Sequence, residues 1–281
     1  MSTYNQLIHQ YRKIFYEKAL TPETVKAFIF ELCNQEGINL YTDIDNEVSQ
    51  DFLNKFNTGI ERLLKDEPLN YVLGYSYFYG YKFIVNKDVL IPRPETEELV
   101  GLILSKYDEY FNNRAINVCD IGTGSGAIAI ALKKEENKLN IYASDISDDA
   151  LAVAKQNSIN NECDITFLSG SMLEPYIESN IKVDILISNP PYIKQDEVLE
   201  TSVIDYEPHV ALFGGNDGLK FYREIFENAH KILNKNALAF FEIGYDQKEN
   251  LSKLIESYFP DAKYEFYKDI NNKDRMLMIK F

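Results

Sequence analysis

From residue 114 onward, short apolar runs alternate with amphipathic segments, and this alternation constrains the fold more than any other feature. Strands that alternate with helices predict a parallel β-sheet covered by helices on both faces, an α/β fold. Only a loop separates the last two strands, so we expect them to pair antiparallel. The predicted strands are residues 116–121, 140–144, 165–168, 183–188, 237–243, 264–267 and 275–280. The predicted helices between them are residues 127–134, 148–158 and 219–233.

The chain before residue 114 has a different pattern. Apolar side chains recur at helical spacing through residues 3–65, which predicts a small bundle of three or four helices. Aromatic and β-branched residues broken by Gly74 and Gly80 predict a β-hairpin within residues 71–91, followed by a helix at 95–107. The predicted domains are a helical domain (residues 1–70), a β-hairpin linker (71–92) and the α/β domain (93–281).

A glycine-rich loop follows the first strand of the α/β domain. It reads Gly122-Thr123-Gly124-Ser125-Gly126, and glycines there let the chain turn sharply and let a ligand approach the main chain. The loop also fits a dinucleotide-binding pattern, so by itself it is weak evidence. Asp120, at the end of the strand, would repel a pyrophosphate but would attract the ammonium group of S-adenosylmethionine. We therefore favour S-adenosylmethionine as the cofactor.

Asp145 ends the next predicted strand. An acid at that position can accept hydrogen bonds from ribose hydroxyls. NAD and S-adenosylmethionine both contain this ribose, so Asp145 does not distinguish them, and a helix cap is the alternative role of Asp145.

The fourth strand runs into a rigid turn, Asn189-Pro190-Pro191-Tyr192. Two prolines fix the backbone and remove two amide donors at the carboxyl end of a buried strand, where ligands bind in parallel sheets. The Asn189 side chain and the Pro190 carbonyl can accept both hydrogens of a planar NH2 group while the Tyr192 ring stacks on its face. The turn therefore predicts methyl transfer to an amide or amine nitrogen by orientation and electrostatics, without a covalent enzyme intermediate.

No other catalytic arrangement is visible in the sequence. The histidines, His9, His209 and His230, are interpreted as surface or core residues. The three cysteines have no CxxC spacing, so we predict neither disulfides nor a metal site.

The Asn-Pro-Pro-Tyr turn resembles the catalytic motif of the amino-methyltransferases, and three further strings resemble the HemK/PrmC family. These are L-I-P-R-P-E-T-E at residues 90–97, E-P-H-V-A-L with a following glycine turn at 207–219, and F-E-I-G-Y-D-Q at 241–247. Their order and spacing extend the resemblance from about residue 68 to residue 275. The order of helices before a hairpin also resembles this family.

The resemblance implies a Rossmann-like class I methyltransferase sheet, parallel with an antiparallel last strand. It implies methylation of the side-chain nitrogen N5 of the glutamine in the GGQ motif of peptide chain release factors, which modulates translation termination. The helical domain would contact the release factor. The implied cofactor-binding residues are Asp120, Gly122, Thr123, Gly124, Ser125, Gly126, Asp145, Met172 and Asn189. The residues that would hold the glutamine are Asn189, Pro190, Pro191 and Tyr192, with Asn189, Pro190 and Tyr192 in the catalytic role.

Three residues depart from the family pattern or have an open role. Ser171 and Met172 stand where the family often has an acid that bonds the adenine amine; Ser171 can still accept a hydrogen bond and Met172 can pack on the adenine. Arg93 could orient the following helix or touch the cofactor carboxylate, and the sequence favours neither role.

Three other enzyme classes are alternatives. A glutamine methyltransferase of ribosomal proteins shares the glycine loop and the Asn-Pro-Pro-Tyr turn. The sequence therefore distinguishes this class from a release factor methyltransferase less clearly than the other two. A nucleic-acid adenine methyltransferase needs a basic surface, whereas the net charge is −15 and both halves of the chain are acidic. A nicotinamide-dependent dehydrogenase, like a non-enzymatic binding protein, would leave the Asn-Pro-Pro-Tyr turn without a role.

The remaining expectations concern location and assembly. We expect no secretory signal, because residues 1–6 lack a basic region followed by an apolar run, and no membrane helix. We expect the protein to be cytoplasmic and monomeric. We also expect it to bind a release factor and to make no direct contact with nucleic acid.

Overall fold

The computed structural model describes residues 2–281; Met1 lies outside the described residues. Contacts divide the chain into two compact units. The first reaches to Tyr75 and includes Leu199–Tyr206, and the second consists of Ser76–Val198 and Glu207–Phe281. The functional division at residues 70 and 92 stays a prediction. Within residues 2–281, no helix is long and apolar enough to cross a membrane.

The first unit is helical, as the periodicity predicts. Thr3 accepts a hydrogen bond from Gln6 in a capping box, and Ser49 caps the fourth helix, so polar residues fix where these helices begin. The apolar faces bury one shared cluster that includes Phe15, Phe28 and Phe56. The helices are α1 (Tyr4–Glu17), α2 (Glu23–Gln35), α3 (Leu40–Asp43), α4 (Gln50–Leu63) and α5 (Leu69–Leu73), with α10 (Thr201–Tyr206) from later in the chain.

The predicted hairpin is present but shorter than expected. Its strands are β1 (Tyr75–Phe78) and β2 (Tyr81–Ile84). Residues 71–73 belong to α5 instead, which ends at Gly74 with a φ of +79°. Tyr79 and Gly80, between the strands, both have positive φ, as a type I′ hairpin turn requires.

The second unit is built on a seven-stranded sheet with the order β5-β4-β3-β6-β7-β9-β8. Strands β3 to β7 pair in parallel, and β9 pairs antiparallel with both β7 and β8, so the predicted sheet type is confirmed. The strands are β3 (Ile116–Ile121), β4 (Leu139–Asp145), β5 (Thr166–Ser169), β6 (Val183–Ser188), β7 (Leu233–Glu242), β8 (Lys263–Lys268) and β9 (Asp274–Lys280).

Helices of the second unit cover both faces of this sheet. Alternate residues of β3 lie in different clusters: Val118 packs with α6 and α7, and Cys119 and Ile121 pack with α11 and α12. This is why the strands are apolar on both faces. The helices are α6 (Pro94–Phe111), α7 (Ala127–Glu135), α8 (Asp148–Asn160), α9 (Glu174–Glu178), α11 (Lys220–Ala229) and α12 (Lys248–Tyr258).

The sequence interpretation was wrong in two places here. It extended the helix at 219–233 too far: α11 ends at Ala229, and Leu233 already begins β7. It also missed α12, although Leu251, Leu254 and Ile255 have helical spacing. Helices α9 and α10 were also not predicted. They have only five and six residues, which is too short for a periodic pattern of apolar residues.

The sheet order determines where a ligand can bind. The chain moves outward from β3 through β4 to β5 and then returns to place β6 on the other side of β3. In open parallel sheets the crevice for ligands lies at this point of reversal, outside the carboxyl ends of the strands. The glycine loop follows β3 and the Asn-Pro-Pro-Tyr turn follows β6, so both lie at this position.

Candidate active site

The glycine loop between β3 and α7 has a conformation that glycine favours. Gly122, Gly124 and Gly126 have φ values of +71°, +55° and +81°, in the left-handed region where residues with a Cβ are strained. The backbone N–H groups of Gly122 and Thr123 both donate to the carbonyl of Ser144, at 2.9 Å each. The loop is thereby held against the end of β4.

Asp145 connects the two loops that follow β3 and β4. One carboxylate oxygen accepts from the N–H of Gly124 at 2.9 Å, and the other accepts from the N–H of Ser147 at 3.0 Å. Each oxygen has two lone pairs, so both can still accept a ribose hydroxyl. The cap of α8 is Ser147. The alternative role of Asp145 as that cap is therefore wrong.

Asp120 is almost completely buried beneath the loop. The Thr123 hydroxyl donates to one carboxylate oxygen at 2.6 Å, and the other oxygen has no partner within the described residues. Burial raises the pKa of Asp120 to about 7, although the Thr123 hydrogen bond opposes the rise. An unpartnered carboxylate oxygen at this position fits a cationic ligand, but Asp120 does not line the cavity itself.

The raised pKa of Asp120 predicts a measurable pH dependence of stability. Between about pH 4 and pH 7 the unfolded chain releases a proton that the folded chain retains. The stability from this group is therefore fully present below about pH 4 and is lost as the pH rises to about 7. Since asparagine does not ionise, the melting temperature of Asp120→Asn minus that of the wild type should become more positive from pH 4 to pH 7.

Thermal unfolding across this range tests the prediction. The exposed residue Asp108 on α6 offers a matched control, Asp108→Asn, which removes a carboxylate that is not buried. A difference for Asp120→Asn that does not change with pH would contradict the raised pKa.

The turn after β6 is held by a chain of side-chain hydrogen bonds. The Asn189 side-chain N–H donates to the Thr96 hydroxyl at 3.3 Å, and this hydroxyl donates to one oxygen of Glu242 at 2.6 Å. The Tyr192 hydroxyl donates to the other oxygen of Glu242 at 3.2 Å and accepts from Arg275 at 3.3 Å. Thr96 and Glu242 are buried. Burial raises the pKa of Glu242, opposed chiefly by the Thr96 hydrogen bond.

The backbone of the turn is held from behind by Gln247. Its side-chain NH2 donates to the carbonyls of Tyr192 and Gly218, at 3.2 and 3.1 Å, and its carbonyl accepts from the N–H of Gly244 at 2.9 Å. Gln247 is buried, so its amide supplies bonds that these backbone groups cannot obtain from water. The F-E-I-G-Y-D-Q string therefore supports the turn rather than lining the cavity.

Arg93 pairs with the buried carboxylate of Glu207, whose second oxygen accepts from the N–H of Ile91 at 3.3 Å. This pair joins the L-I-P-R-P-E-T-E string to the E-P-H-V-A-L string. Arg93 also lines the cavity. The structure thus gives it a structural partner, and a contact with the cofactor carboxylate stays a prediction.

A cavity of about 350 Å³ opens between the two loops. A neighbouring cavity of about 420 Å³ shares Ser171, Met172 and Glu224 with it but is not lined by either loop. Asp120, Gly126 and Tyr192 do not line the first cavity. The predicted residues that do line it are Gly122, Thr123, Gly124, Ser125, Asp145, Met172, Asn189, Pro190 and Pro191.

This cavity fits S-adenosylmethionine. The left-handed glycines of the loop leave open space above Gly122 and Gly124, where an added Cβ would meet no atom within 4 Å. Asp145 supplies oxygen acceptors beside that space, and apolar side chains such as Ile146 and Met172 line it. Within residues 2–281, no cluster of three or more potential metal ligands is found.

Sequence reasoning assigned no role to several residues that hold the site. Thr96, Glu242 and Gln247 stood within the matched strings, but their partners are distant in sequence. Asn157 was missed altogether: its side-chain NH2 donates to the carbonyl of Ser125 at 2.9 Å and to that of Ile84 at 3.0 Å. An asparagine within the apolar face of α8 was the signal for it.

The sequence is similar to proteins of known class. Residues 102–205 match the family model described as the methyltransferase small domain. The release factor glutamine methyltransferase of Bacillus cereus is 40% identical over 251 residues, covering 88% of this chain and 89% of that protein. The one of Staphylococcus aureus is 35% identical over 283 residues, covering 100% of both.

Solved structures support the fold. A methyltransferase from Pyrococcus furiosus superimposes with a TM-score of 0.52 at 16% identity, covering 79% of this chain and 96% of that one. At this identity the likeness concerns the fold alone, and it agrees with the class I methyltransferase sheet expected from the motifs. With identities of 35–40% over most of its length, the chain belongs to the family of release factor glutamine methyltransferases.

Proposed function

We propose that this protein transfers a methyl group from S-adenosylmethionine to the side-chain nitrogen N5 of a glutamine, the one in the GGQ motif of a peptide chain release factor. One observation carries the proposal: the glycine loop and the Asn189–Pro191 turn open onto the same cavity. A cofactor held by the first would therefore meet an acceptor held by the second. The names of the relatives give the class of acceptor.

The glycine loop and its neighbours are proposed to hold the cofactor, which when bound supplies an electrophilic methyl group on a cationic sulfur. Asp145 is assigned to the ribose hydroxyls and Met172 to the adenine ring. Met172 lies in the cavity wall with a φ of +45°, in the left-handed region. When it is ionised, the buried carboxylate of Asp120 adds a negative charge beneath the loop, which favours a cationic ligand.

Asn189 and Pro190 are proposed to accept the two hydrogens of the glutamine NH2 group. An amide nitrogen is a poor nucleophile because its lone pair is delocalised into the carbonyl. Two acceptors draw the N–H hydrogens, raise the electron density on nitrogen and orient it for displacement at the methyl group. The Pro190 carbonyl suits this role because the following residue is also a proline and adds no competing N–H donor.

Tyr192 is proposed to hold the turn through its hydroxyl, which is bound to Glu242 and Arg275. Its stacking on the acceptor stays a prediction. The nitrogen that has received the methyl group is strongly acidic, so its proton can pass to water without a dedicated base. None of the three histidines is among the residues that line the cavity in residues 2–281.

Mass spectrometry of a release factor tests the proposed function. The factor is incubated with the protein and S-adenosylmethionine, and its tryptic peptide containing the GGQ motif is expected to gain one methyl group on the glutamine. Ribosomal proteins and DNA, treated in parallel, test the two alternatives. Methylation of either without methylation of the release factor would overturn the proposal.

The predicted role of Asp145 has its own test. We expect Asp145→Ala to weaken S-adenosylhomocysteine binding by about 1–3 kcal/mol, because ribose hydroxyls lose an acceptor and the Gly124 N–H loses its partner. Isothermal titration calorimetry measures this, with the exposed Asp108→Asn as a control that keeps full affinity. An unchanged affinity for Asp145→Ala would contradict the role.

A further inference from the structure

The hydrogen bonds behind Asn189 have a fixed direction. They connect Asn189, Thr96, Glu242, Tyr192 and Arg275 in that order, with distances of 3.3, 2.6, 3.2 and 3.3 Å. Their far end is an arginine, which can only donate. We call these five residues the amide relay.

The direction follows from Arg275 inward. Because Arg275 donates to the Tyr192 oxygen, the Tyr192 proton is directed to Glu242. The carboxylate of Glu242 accepts this proton on one oxygen and the Thr96 proton on the other. Each hydrogen bond in this order therefore determines whether the next residue donates or accepts.

The relay determines which end of the Asn189 amide faces the cavity. With its proton directed to Glu242, the Thr96 oxygen can only accept, so it takes a hydrogen from the Asn189 NH2. The Asn189 carbonyl oxygen has no hydrogen-bond donor in the described part of the chain and is available to the cavity that Asn189 lines. Oxygen and nitrogen of a side-chain amide have nearly the same shape, so only such a network can select between them.

We propose that Thr96 and Glu242 are positioning residues that hold the Asn189 amide with its oxygen toward the cavity and so select an acceptor that carries N–H hydrogens. This inference rests on the proposed function for the identity of the acceptor. If the amide were reversed, its NH2 would face the NH2 of a carboxamide, and two donors would meet. In this assignment Thr96 and Glu242 act through Asn189: Thr96 is among the residues that line the cavity, and Glu242 is not.

Two substitutions at Thr96 separate orientation from packing. Thr96→Val keeps the shape but removes the acceptor for Asn189, so we expect kcat for release factor methylation to fall about 10- to 100-fold. The dissociation constant of S-adenosylhomocysteine and the KM for the release factor should stay within about threefold, roughly 0.65 kcal/mol. Thr96→Ser retains the hydroxyl and should restore kcat to within a few fold of the wild type.

Glu242→Gln tests the direction of the relay. Thr96 and Tyr192 both donate to Glu242 in the wild type. A glutamine side chain offers one acceptor and one donor at this position, so one of these two hydroxyl groups must turn its proton away. Tyr192 already accepts from Arg275, so the new NH2 faces Thr96, whose proton then turns toward Asn189 and reverses its amide. We expect a loss of kcat similar to that of Thr96→Val, again with little change in cofactor affinity.

A spectroscopic readout keeps this inference separate from the proposed function. The side-chain amide of Asn189 is assigned in ¹H–¹⁵N spectra as the signal that Asn189→Ala removes. Its hydrogens should exchange slowly in the wild type and in Thr96→Ser, and faster in Thr96→Val and Glu242→Gln.

The outcomes separate the two hypotheses. Full kcat in Thr96→Val, or an equal loss in Thr96→Ser, would overturn the positioning role, as would equal amide exchange in all variants. If the wild type fails to methylate any release factor, the proposed function fails, and the exchange rates still decide the orientation of Asn189. Melting temperatures show which variants are folded. If Thr96→Val does not fold, the kcat and amide exchange of Glu242→Gln test the positioning role instead.

Discussion

Asn189→Ala is expected to lower kcat for methylation of a release factor by about 10²- to 10³-fold, the loss typical of one positioned hydrogen-bonding group at a reacting centre. The substitution removes the carbonyl oxygen that is proposed to accept from the glutamine nitrogen, so the nitrogen loses both orientation and electron density. Cofactor affinity should stay within a few fold, because the glycine loop and Asp145 are untouched. Single-turnover assays with labelled S-adenosylmethionine and calorimetry with S-adenosylhomocysteine measure the two effects.

A matched substitution controls for the loss of an asparagine as such. Asn160 is exposed at the end of α8, and Asn160→Ala should keep full activity. Full turnover of Asn189→Ala would refute the catalytic role. A parallel loss of activity and cofactor affinity would instead move Asn189 from the acceptor to the cofactor.

Gly218→Ala is expected to have the largest effect on stability. Gly218 has a φ of +72°, and an added Cβ would lie 2.3 Å from the Tyr192 carbonyl oxygen and 2.6 Å from the side-chain nitrogen of Gln247. The backbone strain and the overpacking together predict a loss of about 2–5 kcal/mol in the free energy of unfolding. Since the clash pushes on the backbone of the turn after β6, which is proposed to hold the acceptor, kcat should also fall by about 10²-fold or more.

Gly80→Ala distinguishes strain from collision. Gly80 has a φ of +80° in the hairpin turn, but an added Cβ there meets nothing within 4 Å. Its cost should be only the backbone strain, about 1–2 kcal/mol, with activity retained. Denaturant unfolding and methylation assays on both variants measure the difference. Equal effects of the two substitutions would show that contact with the turn is unimportant.

The sequence predicted much of the fold because the signals for strands and helices are local. The limits of β3 and β6 agree with their predicted residues, and the antiparallel pairing of the last two strands is confirmed. The insertion of β9 between β7 and β8 was not predicted. Strand order depends on contacts between distant segments, and alternating apolar residues in one segment do not specify them.

In the candidate site, too, local features were predicted and contacts between distant residues were not. The glycine loop and the Asn-Pro-Pro-Tyr turn were readable as contiguous strings, because backbone conformation depends on neighbouring residues. The placement of Asp120 beneath the loop and of Tyr192 outside the cavity lining was not readable. Both depend on how the ends of β3 and β6 pack against residues from elsewhere in the chain.

By itself, then, the sequence determined the two loops, the sheet type and the family resemblance. Only the tertiary structure decided that Thr96, Glu242 and Arg275 form one relay behind Asn189, although 146 positions separate the first two. Hydrogen bonds between side chains are short and directional. The atoms that make them are brought within reach only when α6, β7 and β9 pack against the turn after β6.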